Sequence, residues 1–106
     1  MVVDLAVGKL GEDVLLLDVR TVSLFADYFV ICSGSSTRQV QAIQEEILSK
    51  VREAGIHALH AEGIPDSGWV LVDYGAVVVH IFFTETRRHY NLEQLWKDAK
   101  TVVRIL

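Results

Sequence analysis

Cys32 and Arg38 form the clearest pattern in the chain that would suit catalysis. Five residues separate them, between a predicted strand and a predicted helix. Cysteine-dependent phosphatases use this arrangement: backbone N–H groups at the helix start bind a phosphate, the arginine clamps it, and the helix dipole lowers the thiol pKa. A phosphatase also needs a general acid, and nothing selects Asp66 or Asp73 for that role. Because two matched positions are a loose motif, a strand-ending cysteine and a solvent-facing arginine is the favoured interpretation, and a phosphatase is the alternative.

The polar loop at residues 33–36 supports a second enzyme hypothesis. Its sequence, Ser-Gly-Ser-Ser, resembles the Gly-Ser turn of nucleotidyltransferases, whose chemistry requires paired carboxylates that hold Mg²⁺. The next predicted strand, residues 56–61, contains no acidic residue. The loop therefore indicates the shape of that fold without its reaction, and a nucleotide-binding module without catalysis is a third interpretation.

The four histidines do not form a metal-binding pattern. His57 and His60 are three residues apart on a predicted strand, so they point to opposite faces. His80 lies inside an apolar run, where a hydrogen-bonded core histidine is expected, and His89 follows two arginines. A single cysteine cannot build a structural zinc site. We therefore expect neither a metal nor a cofactor.

A predicted β-hairpin is the strongest candidate for binding. Its arms are residues 69–72 and 77–83, and residues 73–76 form the turn. Strand alternation places Trp69, Leu71 and Asp73 on one face of the first arm, and Val70, Val72 and Tyr74 on the other. Tryptophan and tyrosine are enriched at binding hot spots, and an acid helps to orient a basic partner. The pattern alone nevertheless favours a core role for Trp69, because aromatic strand residues are mostly buried.

Hydrophobic periodicity predicts the elements that position these residues. Ser36 with Gln39 predicts a helix start, and Gly55 predicts its end. The second hairpin arm is apolar on both faces, which predicts a central strand. The elements predicted along the chain are a helix over 2–10, strands over 14–19 and 28–32, a helix over 37–54, a strand over 56–61, the hairpin, and a helix from Asn91 with Leu92, Leu95, Trp96 and Ala99 on its apolar side. This order predicts an α/β (mixed α+β) fold, with helices packed against a mixed sheet.

Length, charge and cysteine content limit the classes of function. A length of 106 residues predicts a single domain over residues 1–106. No apolar run reaches the roughly 18 residues that span a bilayer, and residues 1–4 lack the basic start of a secretion signal. One cysteine agrees with a reducing compartment, so we expect a cytoplasmic protein without membrane contact. The net charge is −4 and the sequence has no basic stripe, which favours a basic protein as the binding partner over a nucleic acid. Mild acidity alone, however, indicates only solubility.

Several motifs occur together in one order along the chain. They are DYFVI at 27–31, SGS at 33–35, RQVQAI at 38–43, EG at 62–63, WVLVDYG at 69–75, VVVHIF at 77–82, Arg87, and YNLEQLW at 90–96. On these motifs the chain resembles the ribosomal silencing factors, also called Iojap-like proteins, over about residues 12–97. A set of this extent is far more specific than any single motif.

The resemblance implies a fold, a function and a site. The fold is a five-stranded mixed sheet flanked by helices, akin to the nucleotidyltransferase fold but without that activity. The function is non-enzymatic translation repression: binding to ribosomal protein fourteen of the large ribosomal subunit, which sterically blocks joining of the small subunit under nutrient limitation. A homodimer is also compatible, since family members can pair. The implied partner-binding residues are Trp69, Leu71, Asp73, Tyr74 and Ala76, supported by His80, Arg87 and Tyr90. Relatives usually carry an acid at the position of Ala76, and its loss should weaken the charged part of docking.

Overall fold

A computed structural model describes residues 1–63, 65–90, 94 and 97–106 of the protein. In chain order the elements are α1 (Val2–Gly8), β1 (Glu12–Asp18), β2 (Tyr28–Gly34), α2 (Thr37–Glu53), β3 (His60–Glu62), a 3₁₀ helix (Pro65–Ser67), β4 (Trp69–Asp73), β5 (Val77–Phe83), α3 (Thr84–Tyr90) and β6 (Lys100–Ile105). Within the described ranges, no helix has both the length and the apolar character needed to cross a membrane.

The strands form one mixed sheet in the order β3-β4-β5-β2-β1-β6. The central pair, β2 and β5, is parallel, and the other neighbouring pairs are antiparallel. The predicted mixed sheet with flanking helices and the central position of the second hairpin arm are confirmed. The likeness to the nucleotidyltransferase fold stays a prediction.

The expectation of five strands is wrong, because β6 adds a sixth strand beside β1. In this pair Leu15 lies opposite Arg104, and Asp18 lies opposite Lys100. β6 alternates poorly, since its sequence is KTVVRI, and its partner comes from the other end of the chain. Pairing between segments so distant in sequence leaves no local pattern to read.

The C-terminal helix also differs from the prediction. The structure has α3 at Thr84–Tyr90, a segment whose polar sequence TETRRHY lacks an apolar period. The predicted start at Asn91 and the apolar residues Leu92, Leu95 and Trp96 lie outside the described residues. Ala99 belongs to a bend before β6 and not to a helix.

The α2 helix forms for the local reasons that its sequence indicates. The Ser36 hydroxyl accepts a hydrogen bond from the Gln39 N–H at 3.1 Å, which caps the first turn. The Gln39 side chain returns to the N–H of Ser35 at 2.7 Å, one residue before the expected partner. Gly55, with φ of +90°, follows the last turn. The buried stripe that faces the sheet is Val40, Ile43, Ile47 and Val51.

Alternation along the strands gives the sheet two different faces. We call the first the helix-covered face, since α1 and α2 lie on it; its buried residues are Val14, Val30, Cys32, Val70, Val72, Val79 and Ile81. We call the second the aromatic face; its residues are Leu15, Leu17, Phe29, Ile31, Trp69, Val78, His80 and Phe82. Both faces of β5 are buried along most of its length, which explains its nearly continuous apolar sequence.

Candidate functional site

The β4–β5 hairpin brings three of the predicted binding residues together. Trp69, Leu71 and Asp73 occupy alternate positions of β4 and are half-buried, whereas the residues between them are fully buried on the helix-covered face. We call these three residues the docking row. Trp69 pairs with Phe82 of β5, and Leu71 pairs with His80. The docking row therefore lies on the aromatic face, as alternation predicts.

An aromatic cluster holds the indole of Trp69 in one orientation. The ring stacks on Phe82 with centroids 5.0 Å apart, and its Nε1–H donates to Nδ1 of His80 at 3.3 Å. Phe29 meets the imidazole of His80 edge-on, with centroids 4.9 Å apart. These contacts hold the indole in one orientation, and a side chain held in this way loses less entropy on binding a partner than a free one does.

His80 is the hydrogen-bonded core histidine that its apolar surroundings predict. Burial disfavours the charged ring and lowers the pKa of His80 to about 4. The imidazole is therefore neutral at pH 7, with its proton on Nε2 because Nδ1 accepts from Trp69. Nε2 is buried and has no hydrogen-bond partner within the described part of the chain.

The hairpin turn is stabilised by the Asp73 carboxylate and is hydrogen-bonded to the start of β2. Oδ1 of Asp73 accepts from the N–H of Gly75 at 2.7 Å, and Gly75 takes the expected positive φ, at +85°. Ala76 is exposed, and its carbonyl accepts the N–H groups of Asp27 at 2.7 Å and Tyr28 at 3.0 Å. Asp73 thus has a structural role within the turn besides its charge.

The side chain of Tyr74 lies on the opposite face of the sheet from the docking row. Its half-buried ring packs with the core of the helix-covered face. The hydroxyl is buried without a hydrogen-bond partner among the described residues, and desolvation raises the pKa of Tyr74. The structure therefore separates Tyr74 from Trp69, although both belong to the same hairpin.

Arg87 of α3 is buried at the ends of β1 and β2. Its Nη1 donates to the carbonyl of Asp13 at 2.7 Å and to the Ser33 hydroxyl at 3.2 Å, and Nη2 is 3.6 Å from Oδ2 of Asp13. These contacts tie α3 to the sheet. Tyr90 is the other predicted supporting residue, and its side chain is not among those that the structure describes.

The environment of Cys32 does not fit the phosphatase hypothesis. The thiol is fully buried on the helix-covered face, and burial raises the pKa of Cys32 to about 12. A nucleophilic cysteine needs an accessible thiolate, whereas this thiol is neutral and shielded. Arg38 is exposed on α2.

Glu62 is a neighbour of the docking row that strand patterning did not single out. It pairs with Leu71 across β3 and β4, and with Gly63 it lines a groove of about 220 Å³ against Trp69 and Leu71. A side chain on Gly63 would place its Cβ 2.4 Å from the Trp69 carbonyl, so only glycine allows this close approach. The Glu62-Gly63 pair is one of the motifs shared with the family, and this was the sequence signal that could have identified Glu62 as part of the site.

Comparisons with known proteins agree on one family. A family model described as ribosomal silencing factor during starvation matches residues 1–105. The ribosomal silencing factor RsfS of Bacillus subtilis (strain 168) is 53% identical over 91 residues, which is 86% of this chain and 77% of the relative. The chloroplastic protein Iojap of Zea mays is 33% identical over 95 residues, covering 87% of this chain but 40% of that protein.

A solved structure agrees with the architecture. The crystal structure of a protein from Chromobacterium violaceum has a TM-score of 0.88 to this chain at 32% identity, covering 92% of this chain and 81% of the solved one. The family model spans nearly the whole chain, and the Bacillus relative carries the same name at high identity. This chain therefore belongs to the family of ribosomal silencing factors.

Proposed function

We propose that this protein represses translation by docking on the large ribosomal subunit through the docking row. Its contact there is ribosomal protein fourteen, and its presence sterically blocks joining of the small subunit when nutrients are short. Family membership supports a ribosome-associated regulator of translation. The observation that carries the choice of surface is the half-buried Trp69, whose indole is fixed by His80 and Phe82.

The chemistry of the surface suits a basic protein with an apolar contact. Trp69 supplies a large rigid ring, and Leu71 extends the apolar area beside it, which is the composition of a binding hot spot. Glu62 and Asp73 flank this area with negative charge. The protein carries a net charge of −4, and opposite charge accelerates encounter with a basic partner. Direct contact with RNA phosphates is not required.

The size of the protein is sufficient for a steric block. Its principal extents are 33 × 32 × 23 Å, so a molecule bound on the joining face of the large subunit holds the small subunit away. We assign this role to residues 1–106 as one domain acting in the cytoplasm. A homodimer that pairs through the docking row would compete with the ribosome.

Subunit joining is the direct test. Purified small and large subunits are mixed with and without the protein, and the joined fraction is measured by sedimentation. We expect the wild-type protein to lower that fraction, and Trp69→Ala or Leu71→Asp to restore it. Lys50→Ala, an exposed change on α2, is the control and should repress as the wild type does. Equal joining with and without wild-type protein rules the proposal out.

Crosslinking identifies the contact. Because Cys32 is fully buried, a cysteine introduced as Leu71→Cys is the accessible thiol for a photoreactive label. We expect the label to link to ribosomal protein fourteen in the large subunit. A link to a different ribosomal protein would be compatible with repression but would contradict ribosomal protein fourteen as the partner.

A further inference from the structure

Leu24 and Phe25 are adjacent apolar residues that the fold leaves almost fully in water. Their side chains are 96% and 92% exposed, respectively, in the loop of residues 19–27 that connects β1 to β2. Single exposed apolar residues are common, but two large ones side by side have a hydration cost that a binding role would explain.

Hydrogen bonds fix the backbone of this loop. The carbonyl of Val19 accepts from Ser23 N–H at 2.8 Å and from Val22 N–H at 3.0 Å. The Ser23 hydroxyl then accepts from the N–H of Phe25 at 3.2 Å and of Ala26 at 3.3 Å. Ala26 is buried in the core of the aromatic face, which anchors the loop directly after the exposed pair. The two side chains are thus held outward by an ordered backbone.

The loop is continuous with the docking row. Immediately after Ala26, the N–H groups of Asp27 and Tyr28 donate to the carbonyl of Ala76 at 2.7 and 3.0 Å. Ala76 ends the hairpin turn that begins at Asp73, the last residue of the docking row. Ala26 packs in the core of the aromatic face, and the strand register places this loop at the Asp73 end of the docking row, with Trp69 at the other end. The exposed pair therefore follows the docking row at its Asp73 end.

Charge around the pair indicates the chemistry of its partner. Arg20 is the cation of this segment, and Asp18 holds it through bonds of 2.6 Å to Nη2 and 3.0 Å to Nε. Asp27 is exposed on the other side of the pair. A phosphate backbone or an anionic membrane attracts free cations, whereas the cation of this segment is paired with Asp18 and the carboxylate of Asp27 lies on the other side of the apolar pair.

We propose that Leu24 and Phe25 form a second apolar contact that inserts into a pocket on the protein surface of the large ribosomal subunit, beside the contact of the docking row. This contact rests on the proposed docking function and extends it: the hairpin and the β1–β2 loop bind as one surface. The partner is protein, apolar at the pocket and basic at its rim.

The test uses the double variant Leu24→Ala/Phe25→Ala, which removes the apolar area without changing the charge. Because both side chains are in solvent, we expect its melting temperature to stay within about 2 °C of the wild type. We expect its affinity for purified large subunits, measured by co-sedimentation, to fall at least ~10-fold. Leu10→Ala is the matched control, since Leu10 is also a large apolar residue, 76% exposed, but follows α1; this variant should bind as the wild type does.

The outcomes separate this contact from the docking function itself. If the double variant binds like the wild type while Leu71→Asp does not, the second contact is wrong and the docking row stands. If wild-type protein does not bind large subunits at all, both are wrong. A photoreactive label at Leu24→Cys should link to ribosomal protein, and a link only to RNA overturns the proposal.

Two other binding partners for Leu24 and Phe25, a second copy of the chain and a membrane, are tested in parallel. Analytical ultracentrifugation of wild type and double variant detects a second copy of the chain on the pair. Flotation with phosphatidylcholine–phosphatidylglycerol vesicles detects a membrane. If the double variant loses only self-association or only vesicle binding while its affinity for subunits is unchanged, the proposed contact is overturned.

Discussion

The two faces of the sheet use different chemistry. The helix-covered face is aliphatic and is closed by α2, whose stripe at Val40, Ile43 and Ile47 is fully buried. On the aromatic face, rings and an imidazole meet at defined angles, and Trp69 remains half-buried. Under the docking proposal the two faces divide the tasks: the helix-covered face serves stability alone, and the aromatic face also presents a fixed surface to a partner.

Both faces of the sheet contain buried polar atoms of the hairpin. On the aromatic face, the Trp69 N–H reaches His80, so the hydrogen bond orients the ring as well as satisfying it. On the helix-covered face, Tyr74 buries its hydroxyl without a partner among the described residues. A buried polar group without a partner costs stability, and the aromatic face has one as well, since Nε2 of His80 is also buried without a hydrogen-bond partner among the described residues.

The largest expected effect is on stability, from a cavity in the helix-covered face. Ile43→Ala removes a fully buried side chain, and we expect the free energy of unfolding to fall by about 2–5 kcal/mol. Urea unfolding at pH 7 measures this loss. Ile56→Ala, at an exposed position, is the control and should change stability by less than about 0.5 kcal/mol. If folded Ile43→Ala binds large subunits more weakly than wild type, the division of tasks between the faces fails.

The next effect is the pH dependence that His80 imposes. Burial lowers the pKa of His80 from the usual 6.5 to about 4. Between pH 6.5 and 4, His80 is therefore protonated in the unfolded chain and neutral in the folded chain. The stability from neutral His80 is therefore complete above pH 6.5 and is lost as the pH falls from 6.5 to 4, by up to about 3 kcal/mol. Urea unfolding at pH 7, 6, 5 and 4 measures the fall.

A variant isolates this contribution from the carboxylates. His80→Gln does not titrate in this range and keeps an acceptor for the Trp69 N–H, so its stability should vary less between pH 6.5 and 4. His57→Gln, at an exposed position, controls for removal of a histidine and should keep the wild-type fall. An equal fall in wild type and His80→Gln would contradict the assignment.

Local patterns predicted the elements whose cause is local. The cap at Ser36, the stop at Gly55 and the positive φ of Gly75 depend on neighbours within a few residues. Alternation along β4 was enough to group Trp69 with Asp73 on one face. The core role of His80 followed from the apolar run around it.

Several features that depend on distant segments were not predicted. β6 forms because β1 lies beside it, and Arg87 is buried because it reaches the backbone of Asp13. The polar sequence of α3 has no apolar period, so the sequence pattern does not predict this helix. Its contacts with the sheet account for its position. The exposure of Leu24 and Phe25 is also a tertiary property, since it depends on which segments pack over the loop.

A smaller effect distinguishes Tyr74 from the docking row. Tyr74→Phe removes the buried hydroxyl that has no partner in the described structure, so we expect stability to rise by about 1 kcal/mol. Because the ring lies on the helix-covered face, subunit binding should not change. Thermal melting and co-sedimentation measure the two quantities, and Tyr28→Phe serves as the matched tyrosine control. Weaker binding of Tyr74→Phe would return Tyr74 to the docking site.

The smallest effect separates the two roles of Asp73. Asp73→Asn keeps an acceptor for the Gly75 N–H, so its stability should stay within about 0.5 kcal/mol of the wild type, whereas Asp73→Ala loses that bond and about 1 kcal/mol. Both variants lose the charge, so both should bind large subunits more weakly, and the loss should shrink as salt screens the charge. Co-sedimentation at two salt concentrations checks this. If Asp73→Asn binds like wild type at low salt, the carboxylate serves only the turn, and docking at this end of the row depends on apolar contact alone.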